Sequence, residues 1–264
     1  MKVYVEGIGL VGPGLSGWSG SKPALCGSIP YTEAAVTIPP NELLPPAERR
    51  RTGLPVRVAL AVGHEAVLHA QRNAAELPAI FASSQGDGDN MHHIFEILAN
   101  NGHEVSPTRF HNSVHNAPSG YWSIATKSME ASTSIACYDE SFVAGLIETV
   151  TQIGDSRKTS ILLAYDSPYP APLEEHRPIK STFGVALILA PEKTGRCLAE
   201  LDVGLPEQGS GNTSCTDLGL EALRLNNPAA RSLPLLSAIA SGNATRLELA
   251  YVADNHIGIS VQPC

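Results

Sequence analysis

One helix in this chain has no face to give to water. Over Glu140–Ile153, the residues Phe142, Val143, Ala144, Leu146, Ile147, Val150 and Ile153 occupy most of a helical circumference. A helix that is apolar nearly all round has to be enclosed by other elements, whereas a surface helix keeps a polar face. Just ahead of it, Ser132–Ala136 is a short strand-like run that ends at Cys137. A strand leading straight into an enclosed helix predicts a layered α/β fold, with helices covering both faces of a sheet.

The rest of the chain keeps the alternation. Val3–Val11 and Ala79–Ser83 read as strands, and Val58, Ala61, Val62, Ala66 and Ala70 recur at helical spacing. Met91–Ala99 reads as a helix with Ile94, Ile97 and Leu98 on one side, and a loop and a helix are predicted within Ser106–Ser128. Ser160–Tyr165, Gly184–Ala190 and Cys197–Val203 read as strands, with the Pro-rich loop Ser167–Pro178 between the first two. Glu221–Leu225 and Leu235–Ala240 read as helices. Arg246–Ala250 and Ile257–Val261 alternate around Asp254-Asn255, which predicts a terminal hairpin. With 264 residues, 43% of them hydrophobic and 17% charged, the chain is long and apolar enough to bury such a core.

Several functional classes drop out. A net charge of −8 with no Lys/Arg stripe argues against a nucleic-acid groove. Arg49-Arg50-Arg51 reads as the solvated start of a helix. The opening MKVYVEGIGLVGPG is too short and too polar for a signal peptide or membrane span, so a soluble, cytoplasmic protein without membrane insertion is expected. Cys26, Cys137, Cys197, Cys215 and Cys264 are scattered and contain no C-x-x-C pair, which predicts neither a disulfide framework nor a zinc ribbon. Gly7, Gly9 and Gly12 have dinucleotide-motif spacing, but Pro13 and a Gly/Ser run follow where a helix would have to meet the pyrophosphate. These glycines read as a tight strand-to-loop turn. His111 and His115, and the pair His92-His93, lack an H-E-x-x-H context, so neither a metal nor a cofactor is expected.

Two segments carry a resemblance. Phe110-His111-Asn112-Ser113-Val114-His115-Asn116-Ala117-Pro118-Ser119-Gly120 and Ser134-Ile135-Ala136-Cys137, with the enclosed helix behind, resemble hallmarks of the β-ketoacyl synthase (thiolase-like) family. Cys137 and Gly145 fall where the family's nucleophilic cysteine and helix glycine fall. Gly7–Val11 resembles its opening strand, and Ser181–Leu189 with Ala199-Glu200-Leu201 resembles the strands closing its N-terminal half. The resemblance spans residues 1–204 and implies a thiolase-like α/β/α layer with a mixed sheet. Residues 205–264 would be a shortened C-terminal part ending in the hairpin, and 1–264 a single domain.

In that family the cysteine accepts an acyl group from a carrier thioester, and a helix N-terminus favours its thiolate and an oxyanion. The other reading of Cys137 is a small buried hydrophobe. The resemblance further implies that Phe110, Asn112, Asn116, Tyr121 and Trp122 lie at a dimer interface, where aromatics are enriched. Family members that condense also use two histidines and a lysine from their C-terminal half. Here about sixty residues follow Leu205, with His256 as their one histidine and no lysine. The F-H-N-S-V-x-N segment is similar to partner subunits of aryl-polyene-type pathways. The expectation is therefore a chain-length-factor-like partner of a full-length ketosynthase, meeting an acyl carrier protein through the complex. The alternative is a stand-alone cysteine acyltransferase or thioesterase pairing Cys137 with His111 or His115.

Overall fold

The computed structural model describes residues 1–40, 42–100, 104–209 and 211–264. From the N-terminus, β1 (Lys2–Gly12) turns through Gly14 into the short β2 (Leu15–Ser16) and α1 (Trp18–Leu25). The single-turn α2 (Pro46–Arg49) precedes α3 (Leu54–Ala70), which has Pro55 in its first turn and ends at a left-handed Gln71. Next come β3 (Ala79–Ala82), α4 (Gly88–Ala99), α5 (Pro107–Ser113), α6 (Ala117–Thr126), β4 (Ser132–Ile135) and α7 (Ser141–Ser156). The strands β5 (Ser160–Asp166), β6 (Phe183–Ala190) and β7 (Ala199–Gln208) follow. Last are α8 (Leu218–Asn226), α9 (Leu233–Ser241), β8 (Thr245–Tyr251) and β9 (Asn255–Pro263).

All strands join one mixed sheet in the order β4-β3-β5-β6-β1-β7-β9-β8, with β2 paired to β1. β4, β3 and β5 are parallel, and every pairing from β5 through β6 onward is antiparallel. Alternate residues of β5 serve opposite cores. Leu162 and Ala164 join Phe142, Leu146, Val150 and Ile153 of α7 on one face, while Ile161, Leu163 and Tyr165 join α3 and Trp122 on the other. A strand buried on both faces reads as a continuous apolar run, as Ser160–Asp166 does. The α/β/α layering, the mixed sheet and the closing hairpin match the sequence expectations.

The helix that set those expectations buries most of its circumference, leaving Ile147, Glu148 and Gln152 half-buried and Thr151 exposed on one side. Phe142, Leu146, Val150 and Ile153 are at most 1% exposed, and burying each contributes about 2 kcal/mol. On the sheet side Gly145 allows very close contact, since a Cβ there would stand 2.7 Å from the Ala82 Cβ.

Three expectations are corrected. Gly7 and Gly9 form no strand-to-loop turn. They lie inside β1, where a Cβ on Gly9 would run into the Val62 carbonyl of α3 and one on Gly7 would lie 2.7 Å from the Ala70 Cβ. Absence of side chains lets the helix backbone settle on the strand. The cysteines are not all free: Cys197 and Cys264, 67 residues apart, form a disulfide with Cα atoms 5.7 Å apart. The register that sets Ala199 opposite Pro263 brings the residues beyond those strand ends together. Finally, the Ser106–Ser128 helix is two helices, α5 and α6, because Val114 takes an extended conformation between them.

Gly9→Ala tests the helix–strand contact. It should cost about 3 kcal/mol or more, the upper range for overpacking a core, measured as a lower urea midpoint. A wild-type midpoint would show that α3 does not seat on the β1 backbone.

Candidate functional site

The parallel strands β4, β3 and β5 end at the same edge of the sheet. Cys137 follows β4, Ser83-Ser84-Gln85 follows β3, and Asp166-Ser167 closes β5. The carboxyl edge of parallel strands is where open α/β sheets place ligands. Between Cys137 and α7 lies a single 3-10 turn, Tyr138–Glu140. Tyr138 is left-handed at φ 51°, an uncommon state for a bulky residue that its surroundings must hold. Ser141 does so at close range. Its hydroxyl donates to the Tyr138 carbonyl at 2.8 Å and accepts from the Cys137 N–H at 2.9 Å.

The charges around this turn oppose a thiolate. Burial pushes the Cys137 thiol up, and the Glu140 carboxylate pushes it further the same way. This runs against the thiolate reading of Cys137 and not against its reading as a small, partly buried hydrophobe. The 3-10 turn separates Cys137 from the first turn of α7 and puts two carboxylates in between. Those carboxylates are paired: Asp139 with Arg177 at 2.6 Å and Arg231 at 2.8 Å, and Glu140 with Arg231 at 3.3 Å. The Arg177 guanidinium also lies 3.7 Å above the Tyr138 ring.

Neither candidate imidazole is joined to the cysteine. His115 Nε2 lies 3.0 Å from the Ser83 carbonyl, and the His111 ring stands edge-on to Tyr121 with centroids 5.7 Å apart. Among the described residues no hydrogen bond links Cys137 to a histidine, and no cluster of three or more His, Cys, Asp or Glu could hold a metal.

Asp166 was not singled out by sequence. Its Oδ1 accepts from Ser83 Oγ at 3.1 Å, Ser84 N at 2.9 Å and Ser84 Oγ at 2.7 Å, while Oδ2 is buried without a partner. Burial drives the carboxyl up to about 7 against the pull of those bonds and of Arg177. One sequence signal could have marked it: an acidic residue ending a strand that is otherwise wholly interior.

The interface candidates separate. Phe110 is 65% exposed and Asn116 is exposed. Tyr121 and Trp122 are not surface residues. They are 2% and 1% exposed in the core between α6 and α3, where the Trp122 ring packs over Gly63. Asn112 is buried too, its Nδ2 donating to the Arg51 carbonyl at 2.5 Å. The uncovered apolar surface lies elsewhere on the same side. Met91, Phe95 and Leu98 are exposed along one face of α4, and Phe110 and Val114 are exposed on and just after α5, which contacts α4. Beside it, Arg50, Arg51, Arg57 and Arg109 line a groove of about 500 Å³ together with Asp87 and Asp89. The arginine run that read as a solvated helix start thus contributes to a concentrated basic site on an acidic protein.

Residues 23–245 match the family model for the β-ketoacyl synthase N-terminal domain. The chain belongs to the β-ketoacyl synthase family. Its thiolase-like fold is shared with ketosynthase assemblies. A chain from the complex of the ketosynthase ApeO with its chain length factor ApeC from Xenorhabdus doucetiae aligns with a TM-score of 0.74 and 20% identity. That alignment covers 98% of this chain and 99% of the other. The ishigamide ketosynthase/chain length factor gives a TM-score of 0.72 at 12% identity, covering 100% and 99%. A β-ketoacyl synthase from Burkholderia phymatum STM815 gives 0.71 at 10% identity, with the same coverage. No curated protein sequence matches the chain.

Asp166 supplies the prediction for this site. Its folded pKa of about 7 lies above the unfolded carboxyl value of about 3.9. Its contribution to stability is therefore full below the unfolded value and is lost as pH rises through the folded one. Asp166→Asn should flatten the fall in the urea midpoint between pH 4 and about 8. An unchanged pH profile would show that the carboxyl is ionised in the folded chain.

Proposed function

We propose that this β-ketoacyl synthase family member is a chain-length-factor-like partner subunit of a ketosynthase, working in fatty-acid or polyketide synthesis of the aryl polyene type. In this reading the whole chain acts as one domain in the cytoplasm, needs no cofactor and does not condense by itself. The observation that carries it is the setting of Cys137. The residue falls where the resemblance puts the family's nucleophile, yet its thiol is pushed up, carboxylates flank it and, among the described residues, no histidine bonds it. An acyl-accepting cysteine needs the opposite, a lowered pKa or an adjacent base. The same facts weigh against a stand-alone acyltransferase or thioesterase.

Two surfaces support the partnership. Met91, Phe95 and Leu98 on α4 and Phe110 and Val114 by the neighbouring α5 are exposed in the isolated chain, and clustered exposed apolar residues mark interaction sites. Phe110 and Asn116 are the interface residues proposed to remain in play. The adjoining arginine groove offers an acidic acyl carrier a place to approach the complex, through charge complementarity that raises encounter rates. The ApeO–ApeC and ishigamide complexes are assemblies of the proposed kind.

Co-expression with a ketosynthase encoded beside it, followed by size-exclusion chromatography and product analysis, tests the reading. The pair should co-elute, the isolated chain should show no sustained turnover of malonyl- and acyl-carrier substrates, and Cys137→Ala should leave the pair's product yield nearly intact. A stable monomer that ignores the ketosynthase, or product lost with Cys137, would contradict it.

A further inference from the structure

The Pro-rich segment between β5 and β6 crosses the carboxyl edge described above, and its fastenings are uneven. At its start, the Ser167 carbonyl accepts a hydrogen bond from Gln85 Nε2, and Tyr169 and Pro170 pack on Gly88 at the head of α4. A Cβ on Gly88 would stand 2.9 Å from the Tyr169 ring. Just beyond its far end, Asn227 Nδ2 donates to the Ser181 carbonyl at 2.7 Å. In between, Ile179 is buried and backbone bonds run from the Glu174 N–H to the Pro170 carbonyl and from the Ile179 N–H to the Arg177 carbonyl, but most of the stretch faces solvent. Pro168, Ala171, Pro172, Glu174, Glu175, His176 and Pro178 are exposed, and such segments, poor in buried apolar contacts, open at low cost.

Arg177 is the exception. Its guanidinium stacks 3.7 Å over Tyr138 and pairs with Asp139 at 2.6 Å, and both residues belong to the turn immediately after Cys137. Its backbone N–H donates to the Leu173 carbonyl at 3.0 Å, which ties the middle of the segment to the same point. Asp139 does not depend on Arg177 for its place, because Arg231 holds the same carboxylate at 2.8 Å. The turn can therefore stay put while the segment lifts. The segment is thus anchored near β3 and α4 at one end and by buried Ile179 and the Ser181–Asn227 bond at the other, while Arg177 fastens its exposed middle beside β4.

We propose that Ser167–Pro178 is a strap latched by Arg177 across the ends of β4, β3 and β5, and that its closed form shields the Cys137 sulfur from thioesters and other electrophiles. The strap is a second restraint on this cysteine, independent of its electrostatics and of any partner subunit. Arg177 acts as a positioning residue, and the turn it grips carries the protected thiol.

The test is the rate at which iodoacetamide alkylates Cys137 in the full chain at one fixed pH, resolved by peptide mass spectrometry with Cys26 as an internal reference. Losing a stacked, charge-paired guanidinium should raise the Cys137 rate by about tenfold in Arg177→Ala, while Cys26 keeps its wild-type rate. Arg177→Lys keeps the charge and loses the planar stack, and should give a rise of about threefold. This variant decides the matter if the alanine protein does not fold. Wild-type rates at Cys137 in the folded variants would overturn the latch. So would a parallel rise at Cys26, which would mean general loosening instead of a released strap.

Discussion

The burial of α7 organises the rest of this molecule. The helix packs against β5, β3 and β8 of the sheet and against the turn Ala229–Ser232. It can approach the sheet so closely because Gly145 presents no side chain to Ala82. Five of its apolar side chains, Phe142, Val143, Leu146, Val150 and Ile153, are at most 1% exposed, a contribution of several kcal/mol against a typical net stability of only about 5–15 kcal/mol. Whatever lies at its N-terminus is therefore held in place. That is where the chain puts Cys137, Tyr138 and two carboxylates.

A rigid support does not by itself make a reactive site. A helix start offers free N–H groups that favour an anion, and in this family such a start serves a cysteine. Here a 3-10 turn stands between the cysteine and the helix. It puts Glu140 between the sulfur and the helix, and it turns Asp139 toward Arg177 and Arg231. The arginines are spent on neutralising carboxylates and are not left to stabilise a thiolate. The sulfur sits at the end of β4 in a setting where burial, and then Glu140, disfavour its thiolate. That setting, joined to the apolar residues exposed on α4 and by α5, fits a subunit whose contribution is shape and surface.

The parts of this account legible in the sequence are those that depend on periodicity. The apolar residues of Phe142–Ile153, the continuous run of β5 and the alternation flanking Asp254-Asn255 each report burial or pairing that the structure shows, although Glu148, Thr151 and Gln152 leave one side of α7 partly open to solvent. What stayed hidden depends on tertiary geometry. Nothing in the spacing of Gly7 and Gly9 distinguishes a turn from a strand waiting for a helix backbone. Tyr121 and Trp122 have a composition equally suited to an interface or a core, and only the packing of α6 on α3 settles which. The outward stripe of α4 is equally ambiguous, since an amphipathic pattern reveals two faces and not which one is covered. The pairing of Cys197 with Cys264 required the register of β7 with β9.

The central claim, that Cys137 lacks the chemistry of the family's nucleophile, can be read from a titration of its thiol. Alkylation of Cys137 by a small electrophile, followed against pH in the isolated chain, should rise with a midpoint above the ordinary thiol value of about 8.5, since burial and Glu140 both disfavour the thiolate. A midpoint near or below neutrality would mean an activated nucleophile and would contradict the account.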